Sequence, residues 1–327
     1  MRNRSKVRVS VRGRGGRSSR SGTWGFLHQL AALAVCGVGL IAAAGQAQDF
    51  EKVEIETTPL RTGLYMMTGS GGNLLLSTGR DGVLVIDDQY APLAPKIRKA
   101  ISAIDRGPIR WVVNTHWHGD HTGGNEAMAE AGAVIVAHDN VRERMSTEQF
   151  LAAFQRRVPP SPAAALPIVT FNDALSFHFN GDEVRVVHVP TAHTDGDALI
   201  HFRGADVLHA GDVFFNGMYP FFDTSSGGAF VGMIAATDRL LELAQDGTLI
   251  VPGHGPLARR ADLLAYRGML VEVERLVSKA IRSGRGREEI VESRPTRGLD
   301  SKWGGGFMKP DSFVALVYES LIRTPGR

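Results

Sequence analysis

The sequence predicts an α/β protein with four layers, in which two mixed β-sheets lie between outer layers of helices. Three observations lead to this fold class. In the first part of the chain, short apolar strands are separated by glycine-rich turns, which is typical of hairpins. Stretches with helical spacing then alternate with buried strands, which is typical of crossover connections. A second run of strands follows at 168–210, and long helical stretches end the chain.

The apolar pattern predicts each element in order. In the first half of the chain the expected strands are 64–68, 73–77, 83–88, 110–114 and 134–137. The expected helices there are 91–105, one after Gly124, and 139–157 with Asp139 as its cap. In the second half the expected strands are 168–171, 174–179, 184–189, 198–202, 207–210 and 248–251. The expected helices are 230–244, 262–283 and 311–322, and the proline-rich segment 159–167 predicts a loop.

Residues 1–47 differ in charge from the rest of the chain. They hold eight of the 37 Lys and Arg and no Asp or Glu, so the remainder has 29 basic and 34 acidic residues, a net charge of −5. That balance excludes a basic nucleic-acid binder. The basic stretch leads into an apolar run at 26–44 and ends at Gly45 and Ala47, a pattern that predicts a secretory signal peptide. An uncleaved membrane anchor is the alternative.

Cleavage of this signal peptide after Ala47 would place the protein in the periplasm or outside the cell, in contact with the membrane only during export. The chain has one cysteine, Cys36, and it lies inside the apolar run. The mature protein would therefore have no disulfide and no thiolate ligand. Any metal site must be built from histidines and carboxylates.

The segment 114–125 carries the densest set of metal-ligand types in the chain. It follows a hydrophobic strand directly, where a loop can project side chains into a cleft. His116 and His118 are two residues apart, so an extended segment points both rings to the same side, toward one metal. Asp120 and His121 follow at a turn and diverge enough to serve a second metal. Burying these side chains without a metal would be costly, because their polar atoms need partners.

Three further strand ends repeat this design of an apolar strand followed by a ligand-type residue beside small residues. They carry His193, Asp212 and His254. Each of these residues alone would be weak evidence for a metal site, but their presence together in one chain predicts a metal centre. The histidines that lie in or beside strands are expected to be structural: His138, His178, His188, His201 and His209.

With these residues the sequence resembles the metallo-β-lactamase fold superfamily of metal-dependent hydrolases. The motif His-x-His-x-Asp-His is intact at 116–121, and the later His, Asp and His follow in order. The resemblance spans roughly 63–255 and implies an αββα sandwich with a dinuclear site at one edge. It divides the chain into the signal peptide at 1–47, a catalytic domain at 48–260 and a C-terminal helical extension at 261–327.

The resemblance also implies a role for each matching residue. The ligands of a first zinc would be His116, His118 and His193. The ligands of a second zinc would be Asp120, His121 and His254, with Asp212 bridging the two ions. Asp87, at the end of the strand 83–88, would orient a metal histidine through the other nitrogen of its ring, a role for which Asp88 competes.

Two zinc ions per chain imply hydrolysis by a metal-bound hydroxide, with Asp120 also orienting the nucleophile or relaying its proton. The expected substrate is a small molecule with an ester, lactone, lactam or thioester carbonyl. An aromatic run at 216–222 beside Asp212 forms either a wall of the pocket or part of the core. The prolyl-glycyl-histidine at 252–254 is similar to the glyoxalase II type of thioesterase.

Two alternatives stay open at this point. The first is a β-lactamase proper, because the segment 190–197 is similar to the histidine turn of those enzymes. Many of them, however, have Cys where Asp212 stands, and their lysine that binds the carboxylate of the drug has no counterpart at 213–216. A mononuclear-iron sulfur dioxygenase of the same fold is the second alternative, because the ligand types do not distinguish iron from zinc.

Overall fold

Two mixed β-sheets packed face to face form the centre of the structure, a computed structural model that describes residues 49–323. The predicted signal peptide at 1–47 and its Cys36 lie outside the described residues. The strands are β1 (Glu56–Arg61), β2 (Leu64–Thr68), β3 (Leu74–Gly79), β4 (Gly82–Ile86), β5 (Ile109–Val113), β6 (Val134–His138), β7 (Gln149–Leu151), β8 (Arg156–Val158), β9 (Val169–Phe171), β10 (Ala174–Phe179), β11 (Asp182–His188), β12 (Ala198–Phe202), β13 (Val207–His209) and β14 (Leu249–Val251).

The helices lie between and after these strands. They are α1 (Ala94–Ile104), α2 (Gly119–Thr122), α3 (Asn125–Glu130), α4 (Asp139–Ser146), α5 (Phe230–Leu243), α6 (Arg260–Arg282), α7 (Arg287–Glu292), α8 (Asp300–Trp303) and α9 (Pro310–Arg323). None of the helices within residues 49–323 combines the length and the hydropathy that a bilayer crossing requires.

Each sheet contains both antiparallel and parallel pairs. In the first sheet the strand order is β1-β2-β3-β4-β5-β6-β9, antiparallel up to β4 and parallel from there on. In the second sheet the order is β10-β11-β12-β13-β14, and only the last pair is parallel. The predicted fold class, two mixed sheets with helices on the outside, is confirmed.

The alternation of side chains along the strands separates the apolar residues into layers. On β3, Leu75 joins the cluster between the two sheets, whereas Leu74 and Leu76 point to the outer face. That outer face is covered by α1 and α3 through Ile97, Ile101 and Met128. The outer face of the second sheet is covered by α5, α6 and α9. The result is helices, sheet, sheet and helices, in that order.

The C-terminal extension packs on the second sheet within the same compact unit as the rest of the described chain. Its α9 buries Phe313, whose ring stacks on Tyr219 with the centroids 4.3 Å apart. The hydroxyl of Tyr219 donates a hydrogen bond to Asp300 of α8 at 2.8 Å. The extension therefore holds the aromatic segment that follows Asp212.

The predicted helix at 139–157 is wrong in its second half. The helix α4 ends at Ser146, and residues 149–158 form the hairpin β7–β8. The apolar residues of this segment fit a helix as well as a strand, and contacts far away in the chain decide between them. The amide of Ala152 donates to the hydroxyl of Ser225, and the ring of Phe154 packs on Phe221. Gln155 adopts a positive φ of 49° that no helix interior has.

The edge strand β1 is absent from the sequence prediction. Its residues are exposed along nearly the whole strand, so its sequence lacks the apolar alternation that would predict a strand. It is held by its backbone pairing with β2, and Pro59 is tolerated because the strand lies at the edge of the sheet.

We expect Phe313→Ala to lower the free energy of unfolding by about 3–5 kcal/mol, because it removes a fully buried ring that packs on Tyr219 and Phe230. Phe307→Ala is the matched control in the same extension, since that side chain is 65% exposed, and its cost should stay within about 0.5 kcal/mol. Denaturant unfolding of both variants measures the difference. Equal costs would mean that the extension does not pack as described.

Candidate metal centre

The seven predicted ligands lie together at one end of the two sheets. His116, His118, Asp120 and His121 follow β5, and the other three follow β11, β13 and β14. The two sheets are joined at this end by hydrogen bonds to the backbone of Asn73. The amide of Asn73 donates to the carbonyl of Gly253 at 2.8 Å, and His209 Nε2 donates to the carbonyl of Asn73 at 2.9 Å. Loops from both sheets therefore meet in a fixed arrangement.

His116, His118 and His193 form the first group of ligand atoms. His118 Nδ1 lies 3.1 Å from His116 Nε2 and 2.8 Å from His193 Nε2. The outer nitrogen of each ring faces a hydrogen-bond acceptor. His193 Nδ1 donates to the carbonyl of Phe221 at 2.9 Å, and His118 Nε2 to the carboxylate of Asp223 at 3.3 Å.

The tautomer of His116 follows from its neighbours in the same way. The hydroxyl of Thr115 donates to Asp87 at 2.8 Å, so its oxygen is free to accept from His116 Nδ1 at 3.1 Å. With all three outer nitrogens protonated, the three inner nitrogens present lone pairs to one another. Lone pairs at these distances repel unless a cation lies among them, so this donor set fits a bound metal ion.

Asp212 lies between the first group and a second one. Its Oδ2 faces the first group, 3.4 Å from His193 Nε2 and 3.9 Å from His116 Nε2. Its Oδ1 faces the second group, 3.2 Å from His121 Nε2 and 3.4 Å from His254 Nε2. The arrangement is that of a carboxylate that can give one oxygen to each of two ions.

Asp120, His121 and His254 make up the second group. Asp120 Oδ2 lies 3.4 Å from His254 Nε2 and 3.6 Å from His121 Nε2. His121 Nε2 and Asp212 Oδ1 are fully buried, and within the described residues neither has a hydrogen bond of good geometry. Buried polar atoms without partners are rare, and a cation here would satisfy both.

Asp87, rather than Asp88, contacts a ligand histidine. Its Oδ2 accepts from His121 Nδ1 at 2.7 Å, which leaves Nε2 of that ring directed at the centre. Its Oδ1 accepts from the amide of Thr115 at 2.8 Å, which fixes the start of the ligand loop. Asp88 instead accepts from the amide of Gly124 at 2.8 Å. The geometry is the one expected for the orienting role predicted for Asp87.

The charges of the site differ between its two halves. Burial lowers the pKa of His116 well below its usual value and that of His193 to about 4, so both rings are neutral. Burial also opposes protonation of His121 and His254, but the carboxylates of Asp212 and Asp120 outweigh it. They raise the pKa of His121 well above its usual value and that of His254 to about 9. The carboxylates of Asp120 and Asp212 thus favour positive charge at the second group, whether it is carried by protons on the imidazoles or by a metal ion.

Two glycines let the backbone approach the ligands closely. A Cβ at Gly253 would lie 2.0 Å from Asp212 Oδ1, and a Cβ at Gly72 would lie 2.1 Å from the ring of His121. Any other residue at either position would displace a predicted ligand.

Two aspartates near His193 have different surroundings. Asp197 accepts from the amides of His193 at 2.6 Å and Thr194 at 2.9 Å, so it shapes the turn that presents His193. Burial raises the pKa of Asp197 to about 8. Asp195 forms a bidentate pair with Arg144 at 2.7 and 2.6 Å and does not contact the ligands.

None of the five histidines expected to be structural belongs to a ligand group in the described part of the chain. His209 ties the sheets together, and the ring of His138 stacks on His188 with the centroids 3.8 Å apart.

Sequence reasoning missed Asp223, which holds His118. Its Oδ2 also accepts from the hydroxyl of Ser226 at 2.5 Å, and that hydroxyl accepts from Trp117 Nε1 at 3.1 Å. Burial opposes ionisation of Asp223, but the hydrogen bond from His118 outweighs it and keeps its pKa well below the usual value. The only local signal was a carboxylate before a serine-rich turn, which is common at turns without any metal.

A cavity of about 520 Å³ opens over the centre. His118, Asp120, Asp212 and His254 line its floor. Met218, Tyr219 and Phe221 of the aromatic run line part of the cavity, whereas Phe222 is fully buried in the core and does not line it, so the run serves both purposes. The hairpin β7–β8 lines another part of the cavity, and the ring of Phe154 in that hairpin packs on Phe221 and on Phe307 of the extension. Because the sequence predicted a helix at 139–157, it did not indicate that a hairpin lines the cavity.

A family model described as the metallo-beta-lactamase superfamily matches residues 64–254, which is more than half of the chain. The chain belongs to this superfamily. Its resemblance to the family, inferred from the ligand motifs, is thereby confirmed. The matched region begins at β2 and ends at His254, so it contains every predicted ligand and excludes the C-terminal extension.

Individual members of the superfamily are similar at a distance. The 2,4-dinitroanisole O-demethylase subunit alpha of Nocardioides sp. (strain JS1661) is 27% identical over 230 residues, 68% of this chain and 65% of that one. A hydroxyacylglutathione hydrolase of Gloeobacter violaceus (strain ATCC 29082 / PCC 7421) is 30% identical over 142 residues, 41% of this chain and 49% of that one. The alignment therefore spans only half to two thirds of the length of these curated relatives.

Among solved structures, a metallo-beta-lactamase from Pontibacter korlensis aligns with a TM-score of 0.55 and 21% identity. The alignment covers 66% of this chain and 99% of that one. At this identity the likeness supports the fold, and it agrees with the four layers described above.

We expect Asp223→Asn to weaken metal binding at the group formed by His116, His118 and His193 by about 10–100-fold, because the His118 ring loses the anion that orients it. Binding at the second group should change much less. Metal titration followed by calorimetry measures both affinities. Asp238→Asn is the matched control, since Asp238 pairs with Arg267 on the surface of α5. Unchanged affinity in Asp223→Asn would show that the contact to His118 has no orienting role.

Proposed function

We propose that this chain is an exported hydrolase that binds two zinc ions and cleaves the carbonyl of a small ester, lactone, lactam or thioester. The observation that carries the proposal is the pair of ligand groups that meet at Asp212. Imidazole lone pairs converge on one side of its carboxylate, and a buried imidazole and a second carboxylate lie on the other. Nitrogen and carboxylate ligands of this kind suit zinc.

Two groups rather than one favour a dinuclear site. In a mononuclear site built on His116, His118 and His193, the side chains of Asp120, His121 and His254 would hold no ion, although their ligand atoms lie within 4.8 Å of one another. This consideration favours the hydrolase over the mononuclear-iron dioxygenase. Zinc bound here supplies Lewis acidity, which polarises a carbonyl oxygen and lowers the pKa of water bound to the ion.

The residues of the chain contribute orientation and proton transfer. Asp120 lines the cavity with 21% of its side chain exposed, so its carboxylate faces both the ligand groups and the entering substrate. We assign to Asp120 the orientation of the attacking water and the acceptance of its proton. The bond from the acyl carbon to oxygen, nitrogen or sulfur breaks, the oxygen of water ends on that carbon, and the leaving group takes up a proton.

The cavity supports a carbonyl substrate with an apolar part. Its volume of about 520 Å³ is in the range that holds a small organic molecule. Its walls are mainly apolar and aromatic, and they include Leu151, Phe154, Met218 and Phe221. A matched relative is named a hydroxyacylglutathione hydrolase, and this name supports an acyl substrate here.

The zinc-loaded protein should hydrolyse at least one member of a panel made of a 4-nitrophenyl ester, a lactone, a thioester and a β-lactam. Metal analysis should give two zinc ions per chain. Chelation should reduce the rate to background and added zinc should restore it, because the ligand residues alone have no Lewis acidity. A protein that is loaded with zinc and cleaves none of the four substrates would disprove the proposed reaction.

Asp212→Ala provides the internal control for this experiment. It should bind fewer than two ions and lose activity, whereas Asp238→Ala, on the surface of α5, should keep both. Circular dichroism of both variants shows whether they fold. Two tightly bound ions in a folded Asp212→Ala variant would disprove the bridging role of Asp212.

Export is the part of the proposal that rests on residues 1–47. The basic stretch, the apolar run and the small residues Gly45 and Ala47 support cleavage after Ala47. Intact-mass analysis of protein recovered from outside the cytoplasm should give a chain that begins at Gln48. A lipid on Cys36 or an intact N-terminus would instead support the membrane anchor.

A further inference from the structure

Arg156 is the one arginine or lysine among the described residues that line the cavity over the metal centre. It is the first residue of β8, so the hairpin that forms one wall of the cavity presents it. Nothing in the family-matched ligand motifs requires a cation at this position. A cation directed into a reaction cavity is therefore a candidate for contact with the substrate.

The guanidinium of Arg156 has neither an ion pair nor a hydrogen bond within residues 49–323. Its neighbour Arg157 is engaged instead. Arg157 pairs with Glu148, and its guanidinium lies 6.0 Å from the centre of the Phe150 ring. Successive residues of a strand point to opposite faces, which separates the two arginines. One arginine stabilises the hairpin, and the other is free to bind an anion.

Arg156 lines the same cavity as two of the predicted ligands, Asp120 and Asp212. The guanidinium of Arg156 and the carboxylates of Asp120 and Asp212 all act on the hydroxyl of Tyr90, which also lines the cavity. An anion bound by Arg156 would therefore lie in the cavity that also contains the metal centre and Tyr90. Two divalent ions would outweigh the negative charge of Asp120 and Asp212, so the loaded floor would not repel such an anion.

The remainder of the wall is apolar. Leu151 and Val158, from the same hairpin, line the cavity on either side of Arg156. Phe154 packs on Phe221 with centroids 5.0 Å apart and on Phe307 with centroids 5.6 Å apart. Phe154 and Phe307 are 42% and 65% exposed and pack on each other, so together they form an apolar surface that the apolar part of a ligand can cover.

We propose that Arg156 selects amphiphilic anions, so that the substrate is an ester, lactone, lactam or thioester with an apolar body and one carboxylate, sulfonate or similar group. This proposal rests on the proposed function for the reaction but not for the binding of the anion. Arg156 is assigned to substrate binding and not to bond breaking. A guanidinium binds such oxyanions through paired hydrogen bonds, and Phe154 and Phe307 cover the apolar body.

Two 4-nitrophenyl esters of equal chain length test the assignment, one of suberic acid with its free ω-carboxylate and one of octanoic acid. In Arg156→Met, KM for the carboxylate ester should rise about 10–100-fold, because a charge-assisted hydrogen bond is lost. The kinetics of the neutral ester should stay within about twofold of the wild type. Arg157→Met is the matched control and should leave the carboxylate ester's KM unchanged. Equal effects of Arg156→Met on both esters would disprove the anion site.

A binding measurement separates this assignment from the proposed reaction. Calorimetry on the zinc-loaded protein should show that hexanesulfonate binds more tightly than hexyltrimethylammonium, which has the same tail and the opposite charge. Arg156→Met should abolish that preference and Arg157→Met should not. If neither ester is cleaved but the preference depends on Arg156, the hydrolase proposal fails and the anion site stands. If the preference survives in Arg156→Met, the anion site is wrong whatever the esters show.

Discussion

The site depends on one constraint: lone pairs of the ligand nitrogen and oxygen atoms face one another at one end of the two sheets, and they repel. The inner nitrogen of His118 lies 3.1 Å from that of His116 and 2.8 Å from that of His193, and with a carboxylate beside them these atoms repel in the absence of a cation. The chain holds them there because the outer nitrogen of each ring is tied to a fixed acceptor. Thr115, Phe221 and Asp223 supply those acceptors. The hydrogen bonds of the outer ring nitrogens thus hold the inner nitrogens close together.

The acceptors are themselves tied to the backbone of neighbouring loops. Asp87 accepts from the amide and the hydroxyl of Thr115, so one carboxylate fixes both the start of the ligand loop and the ring of His121. Asp197 accepts from the amide of His193 and so fixes the turn that carries this histidine. Buried polar groups of this density would destabilise the fold if any were left without a partner, which explains why nearly all of them are paired.

Much of the fold and of the ligand set was predictable from the sequence, because both leave local patterns. A buried strand such as β5 is a continuous apolar run, and His116 to His121 follow it at once. Asp223 and Arg156 leave no such pattern. Their roles depend on which distant loop they meet: Asp223 meets His118, and the hairpin of Arg156 meets Ser225 and Phe221. The edge strand β1 was missed because only backbone pairing holds it.

The junction of the two sheets has a consequence for how the protein acquires its metal. The ligands come from loops as far apart in the chain as Asp120 and His254, and the contact from Asn73 to Gly253 brings those loops together. An unfolded chain therefore has only the short cluster at 116–121 to offer an ion. Folding and metallation are then one coupled equilibrium, in which free metal concentration sets part of the stability. The fraction of the chain that is folded then depends on the metal available in its surroundings as well as on its sequence.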